Sequence, residues 1–199
     1  MTGKDSMSLI DQQPYSDWLR CWNTVLYLPL LLRPVNSAVD FGCNCGPWLR
    51  ALIDLGITDI VGVDIGDPGE NILFPVEKYV KYDLRERLEL GRKFDLIIGL
   101  ETAEHIAGGD EGADNYVETL TNHGDYILFS AATPGQGGNG HVNEQPHDYW
   151  HKKFLLRGYV KLDVIRPTIK DDWRVSWWCR QNCFLYVKPR YDKPFPIYG

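Results

Sequence analysis

The sequence predicts an α/β protein built on a largely parallel sheet, and three observations carry that prediction. Residues 37–65 (SAVDFGCNCGPWLRALIDLGITDIVGVDI) read as an apolar strand (38–41), a turn bounded by Gly42 and Gly46, a helix (47–55) and a second apolar strand (60–63). That succession is a βαβ unit of the nucleotide-binding type. Residues 94–100 (FDLIIGL) form a continuous apolar run, as required of a parallel strand covered on both faces. Strand-like and helix-like segments then alternate through the fifth strand, which is the pattern of a layered α/β domain.

Residues 1–13 are polar, and from Tyr15 the positions Trp18, Leu19, Trp22, Val25 and Leu26 recur at helical spacing. They predict a helix that packs on the sheet or lids the ligand pocket, so that 1–35 is a helical extension of one domain spanning 1–199. Pro47 suits the first turn of the next helix and Gly56 the position just past its end. The second strand ends at Asp64, 66–69 (GDPG) make a turn, and 78–82 (KYVKY) give a third strand followed by Asp83 and Leu84. The fourth strand ends in Glu101-Thr-Ala-Glu104-His105-Ile106, and Gly108, Gly109 and Gly112 predict a flexible loop before a helix at 115–121. A fifth strand (125–131) leads into the uncharged, glycine-rich 133–140 (TPGQGGNG) and then 141–150 (HVNEQPHDYW). A loop of this length in a compact domain is usually functional. A helix at 149–157 closed by Gly158, a strand at 160–165 and a last strand at 182–187 complete the chain.

With 199 residues, 44% hydrophobic and 24% charged, the chain fits one globular domain with a sizeable core. A net charge of -6 without a basic stripe argues against a nucleic-acid partner. The five cysteines (Cys21, Cys43, Cys45, Cys179 and Cys183) have no disulfide-framework spacing, which points to a reducing compartment, the cytoplasm. A zinc set from Cys43, Cys45, Cys179 and Cys183 is disfavoured, because the first pair lies inside the glycine turn and the second leads into a strand. The apolar segment 24–32 carries Pro29, is too short for a bilayer and has no cleavage site after it, so neither a membrane span nor a leader is expected.

The turn residues narrow the ligand. A dinucleotide turn needs G-x-G-x-x-G for close approach to a pyrophosphate, and Asn44 and Pro47 break that pattern, which disfavours a nicotinamide enzyme. A carboxylate at Asp40 would repel a phosphate but suits an ammonium or sulfonium cation. Asp64, ending the second strand, can accept from the vicinal hydroxyls of a ribose. The ligand implied is a phosphate-free, cationic ribonucleoside.

Val39-Asp-Phe-Gly-Cys-Asn-Cys-Gly46, followed by Val61-Gly-Val-Asp64, resembles the first two motifs of the class I S-adenosylmethionine-dependent methyltransferases. In that family an acidic residue precedes G-x-G-x-G; Asn44 takes the place of the middle glycine, and Asn is the next most tolerant residue of positive φ. The resemblance implies a Rossmann-like, seven-stranded mixed sheet in the order 3-2-1-4-5-7-6, with strand 7 antiparallel and helices on both faces. It implies S-adenosylmethionine as cofactor, held by Asp40, Gly42, Cys43, Gly46, Asp64, Ile65, Asp83, Leu84, Leu100 and Glu101. Asp83 would accept from the adenine amino group or cap a helix. Glu104-His105-Ile106 also resembles the segment after strand four in small-molecule methyltransferases.

Methyl transfer needs an acceptor held in line with the sulfonium, and an alcohol acceptor must also lose a proton. His105 and His141, on loops leaving the ends of strands four and five, are the candidate bases, with Glu104 beside them; His123, His147 and His151 are less well placed. The alternatives are that His105 bonds a helix start and His141 clasps a loop. Glu101, Glu104 and His105 offer a divalent-ion site as a further alternative. Nothing resembling D/N-P-P-Y/F follows strand four, which disfavours methylation of DNA bases. The loops are aromatic, with Tyr149, Trp150, Trp173, Trp177 and Trp178, and Asn143, Gln145, Tyr149, Trp150 and Trp177 are the candidate acceptor-binding residues, since flat rings stack on sugar C–H faces while amides bond hydroxyls; otherwise the tryptophans are core. The short build resembles stand-alone methyltransferases that decorate glycans in bacteria and large viruses. The expectation is O-methylation of a sugar hydroxyl on a glycan. Another metabolite or protein side chain as acceptor, and a non-catalytic S-adenosylmethionine-binding protein, are the alternatives.

Overall fold

The structure is a computed structural model that describes residues 15–189, with the side chains of residues 15–21 and 23 outside the described set. Seven strands make one sheet: β1 (Ser37–Phe41), β2 (Asp59–Asp64), β3 (Tyr79–Lys81), β4 (Leu96–Leu100), β5 (Tyr126–Ser130), β6 (Val160–Leu162) and β7 (Phe184–Val187). Their spatial order is β3-β2-β1-β4-β5-β7-β6. The first five pair in parallel, and β7 runs antiparallel to both β5 and β6. The order and the reversed strand are those that the resemblance implied.

Six helices cover the sheet: α1 (Tyr15–Leu32), α2 (Pro47–Asp54), α3 (Gly109–His123), α4 (His147–Leu156), α5 (Ile165–Ile169) and α6 (Trp177–Asn182). Alternation along each strand sorts the core into two layers. Ala38, Ile60, Leu96, Ile98, Leu128 and Leu185 face α1, α2, α5 and α6. Val39, Phe41, Ile97, Ile127, Phe129 and Tyr186 face α3 and α4. Every residue of β1, β4, β5 and β7 is buried, which is why β4 and β7 are wholly apolar and β1 and β5 carry only Ser37, Asp40 and Ser130 besides apolar residues. Trp22, Val25 and Leu26 of α1 are buried in the first layer. The Tyr126 hydroxyl donates to the Pro29 carbonyl at 3.0 Å, satisfying one of the orphan carbonyls of the last helical turn. The N-terminal helix therefore packs on the sheet; Trp18, Leu19 and Cys21 lie outside the described side chains. Among the described residues no helix is long and apolar enough to cross a membrane.

The turn after β1 has three left-handed residues, Gly42 (φ 93°), Asn44 (φ 49°) and Gly46 (φ 84°). Asn44 holds this conformation by its own chemistry: its Oδ1 accepts from the Cys45 amide at 2.7 Å, and its amide donates to Asp64 Oδ2 at 2.8 Å. The two glycines are fixed by close approach. A Cβ at Gly42 would sit 2.2 Å from Thr102 Oγ1, and one at Gly46 would sit 2.1 Å from the Phe74 ring.

Three segments differ from the sequence reading. The glycines expected to form a flexible loop begin a helix: α3 starts at Gly109, with Asp110 and Glu111 favourably placed against its dipole. Gly112 lets the helix lie against the Ala107 carbonyl, which is 2.1 Å from where a Cβ would be. The strand read to Ile165 stops at Leu162, because Ile165 and Ile169, one helical turn apart, bury the inner face of α5. Asn182 ends α6 rather than opening the last strand.

These glycines give a paired test. Gly46→Ala meets both a left-handed backbone and the Phe74 ring, whereas Gly56 (φ 90°) has open space around it. Gly56→Ala is expected to lower unfolding free energy by about 1–2 kcal/mol. Gly46→Ala should cost clearly more, as read by urea denaturation of the two variants side by side.

Candidate functional site

A cavity of about 670 Å³ opens at the carboxyl ends of β1, β2 and β4. Such a crevice is where open α/β sheets bind their ligands. One wall is the glycine turn (Gly42, Cys43, Asn44), with Asp64 and Ile65 leaving β2 and Asp83 and Leu84 after β3. The floor is Leu100, Glu101 and Thr102, His105 stands at one edge, and Trp22, Trp48 and Trp178 close the far side. Eight of the ten residues named from the sequence for the cofactor thus converge here.

The other two do not line it. Asp40 is only 1% exposed, within β1, and its Oδ2 has no hydrogen-bond partner among the described residues. Burial, and then the charge of Asp64, push its carboxyl well above the ordinary carboxylate range. The open strand mouth expected for it is closed over. Gly46 shapes the turn and caps α2 without reaching the cavity.

Asp64 is oriented by backbone donors, Asn44 to Oδ2 and Gly66 to Oδ1 at 3.3 Å. Asp83 caps no helix. It accepts from the Arg85 amide at 3.0 Å and from the Arg85 guanidinium, which holds its pKa down.

The residues after β4 and β5 form a second cluster. Glu101 sits in a left-handed conformation (φ 50°), and its amide donates to the Ser130 carbonyl and hydroxyl, both at 3.1 Å. Its Oε2 accepts from Gln136 Nε2 at 3.3 Å, Gln136 accepts from Asn182, and the Asn182 oxygen meets His147 Nε2. Glu104, in a short 3-10 turn (Ala103–His105), is 1% exposed. Burial and the charge of Glu101 push its pKa to about 8. His141 places Nδ1 at 2.8 Å from Glu144 Oε1, and its Nε2 lies 4.0 Å from Glu104 Oε1. Glu144 also accepts from the amides of Gly135 and Gly137, so the glycine-rich loop is wrapped around one carboxylate. His105 places Nδ1 at 3.1 Å from the Gly140 carbonyl, its ring lies edge-on to that of His141 at 4.9 Å, and partial burial lowers its pKa. Ligand atoms of Glu104, His105 and His141 all lie within 4.8 Å of one another. The metal-capable set thus has His141 where the sequence reading had Glu101.

The candidate acceptor residues fare differently. Asn143 is buried, accepts from Gln145 Nε2 at 3.0 Å and ties the loop to the β4 turn through its own amide and the Glu104 carbonyl. Trp150 is 1% exposed and packs on Phe129, under α4. Tyr149 donates to Asp110 at 2.6 Å and lies beneath the Lys153 ammonium. Neither reaches the cavity, because the first turn of α4 faces α3 on the other layer. Trp177 is 47% exposed and outside the cavity; the adjacent Trp178 lines it. Trp22 lies on the helix expected to pack or to lid the pocket, and Trp178 is one of the aromatics expected on the acceptor loops; Trp48 and Thr102 were missed as site residues. Trp48, directly after Pro47 at the start of the helix that follows the glycine turn, carried the one signal that could have found them.

A family model described as a methyltransferase domain matches residues 19–136. The chain belongs to that methyltransferase family. Among solved structures, the sugar N-methyltransferase KedS8 from Streptoalloteichus sp. aligns at TM-score 0.65 and 14% identity, over 96% of each chain. CalS10, an amino pentose methyltransferase from Micromonospora echinaspora solved with S-adenosylmethionine bound, aligns at TM-score 0.65 and 14% identity over 94% of this chain and 100% of its own. The magnesium protoporphyrin IX methyltransferase ChlM from Synechocystis, solved with bound S-adenosylhomocysteine, aligns at TM-score 0.58 and 15% identity over 94% and 90%. At these identities the likeness is one of fold. No curated protein sequence matches. The protein is an S-adenosylmethionine-dependent methyltransferase.

Asp40 supplies a pH test. Its folded-state pKa is raised, so between the unfolded carboxylate value and the folded one the native state holds the extra proton. Stability from this group is therefore present at low pH and lost as pH rises through that window. The ligand-free protein should lose stability relative to Asp40→Asn as pH rises above the ordinary carboxylate range, measured by urea denaturation across pH.

Proposed function

We propose that this methyltransferase transfers its methyl group to a hydroxyl, with a sugar hydroxyl on a glycan as the acceptor. One observation carries the reading: a buried Glu104 of raised pKa grouped with His141 and with His105, which borders the cavity. An alcohol is a poor nucleophile until its proton is removed or its oxygen is polarised, so an O-methyltransferase needs such a group beside the methyl carbon. In this reading Asp64 accepts from the ribose, and Asp83 with Leu84 lies along the base. Leu100 and Glu101 face the methionine part.

The sugar assignment leans on Trp48 and Trp178, flat rings in the cavity wall that suit the C–H faces of a pyranose or furanose. Of the aromatics expected on the acceptor loops Trp178 lines the cavity, and Trp48 joins it in place of Tyr149, Trp150 and Trp177. KedS8 and CalS10 are named for sugar acceptors, which supports the same class; the acid–histidine cluster favours oxygen over nitrogen in this chain.

Two outcomes are expected. Calorimetric titration should show binding of S-adenosylmethionine and none of NAD, and Asp64→Ala should weaken that binding by about 1–3 kcal/mol, the cost of leaving the bound ribose hydroxyls without their acceptor. Unchanged affinity would remove the ribose assignment. His105→Ala should lower transfer of labelled methyl to a panel of sugar acceptors by about 100-fold while cofactor affinity holds. Full turnover in that variant would place the chemistry elsewhere.

A further inference from the structure

We propose that Glu104, His105 and His141 bind a divalent transition-metal ion, and that this ion takes the acceptor hydroxyl oxygen as a further ligand. That the ion acts on a hydroxyl rests on the O-methylation reading; that it binds does not.

Three independent features point to a cation. The first is charge. Both carboxylate oxygens of Glu104 and Oε1 of Glu101 are buried without a hydrogen-bond donor among the described residues, and the two carboxyls face one another. Two adjacent buried carboxyls need a shared proton or a cation. The second is the histidine tautomers. Each imidazole has Nδ1 against an obligate acceptor, the Gly140 carbonyl for His105 and the Glu144 carboxylate for His141. Each therefore carries its hydrogen on Nδ1 and leaves the Nε2 lone pair free. A carboxylate or carbonyl behind the non-ligating nitrogen is how proteins orient metal-binding histidines. The third is reach. Ligand atoms on one ion with bonds near 2.1 Å lie about 3–4 Å apart; here one ligand atom from each of the three residues, a ring nitrogen in the case of His105, falls within 4.8 Å of the others, with Glu104 Oε1 and His141 Nε2 at 4.0 Å. Small side-chain rotations close the difference.

One carboxylate and two imidazoles suit manganese, iron, cobalt or zinc better than magnesium or calcium, which prefer all-oxygen sets. His105 borders the cavity, so an ion held by this set would lie beside the space an acceptor enters. An alcohol bound there loses its proton to water more easily, and its oxygen attacks the sulfonium methyl carbon. A C–O bond forms, the C–S bond breaks with its electron pair moving to sulfur, and an ether and a thioether result. The histidines then act as ligands, and no imidazole base is required.

The test is titration of the chelator-treated full chain with manganese(II), read by loss of the free-ion electron paramagnetic resonance signal. One equivalent is expected to bind. Glu104→Gln and His141→Ala should each weaken uptake at least tenfold, and Glu144→Ala, which frees His141 without removing a ligand, about 10- to 100-fold. Should Glu104→Gln fail to fold, His141→Ala, on a loop, carries the comparison. No uptake of manganese or zinc by the native chain at millimolar concentration overturns the proposal, as does uptake by both ligand variants equal to that of the native chain. Manganese uptake by a chain that does not bind S-adenosylmethionine supports the site and removes the methylation reading. Full methyl transfer in excess chelator overturns the metal role and leaves that reading standing.

Discussion

The hydrogen bond from the Asn44 amide to the Asp64 carboxylate is the constraint on which the ligand cavity depends. It ties the turn after β1 to the end of β2, so that the mouth between the two strands is set by one short contact. That contact is reachable only because the turn runs left-handed at Gly42, Asn44 and Gly46. The same turn is braced from outside, where Thr102 fills the space a Gly42 side chain would take and Phe74 fills that of Gly46. Absence of side chains at two positions thus lets neighbouring segments, one after β4 and one after β2, close in on the turn. The amides of Gly42 and Cys43 both donate to the Val63 carbonyl, which adds a backbone clamp at the same place.

A second carboxylate does the equivalent work on the other side of the cavity. Glu144 accepts from two glycine amides and from His141, and so gives a loop without regular structure a single centre. Left-handed glycines at 135, 137 and 140 let the backbone bend around it. The Glu104 carbonyl then accepts from the amides of Val142 and Asn143, which fastens this loop to the turn after β4. His105 and His141, far apart in sequence, become edge-to-face neighbours as a consequence.

The site is bought with buried charge. Asp40, Glu101 and Glu104 lie in or beside the floor of a cavity where desolvation raises the pKa of each carboxyl. Groups of this kind destabilise the empty protein and gain partners when a cation arrives, a trade that clusters at functional sites. A cationic cofactor and a metal ion are the two kinds of partner that such a floor favours. The apolar layers on either side of the sheet make the trade tolerable, since β1, β4, β5 and β7 are buried at every position.

The βαβ unit, the central strands and the position of most of the cavity wall are legible in the amino-acid order, because those signals are local. An unbroken apolar run marks a doubly covered strand, and a glycine turn beside the carboxylate that ends the next strand, Asp64, marks the ligand mouth. Asn44 was legible as a glycine substitute because its side chain caps its own turn. Only the tertiary structure decided the rest. The short α5 and α6 carry too few residues for a period to show, so Ile165 and Asn182 were read as strand. Trp150 and Trp178 are chemically alike, and which of them faces the cavity depends on the layer to which each helix is assigned. Grouping His141 with Glu104 and His105, rather than Glu101, depends on a loop folded around Glu144. Neither choice leaves a mark in local sequence, because both are settled by contacts between segments that only the packed sheet brings together.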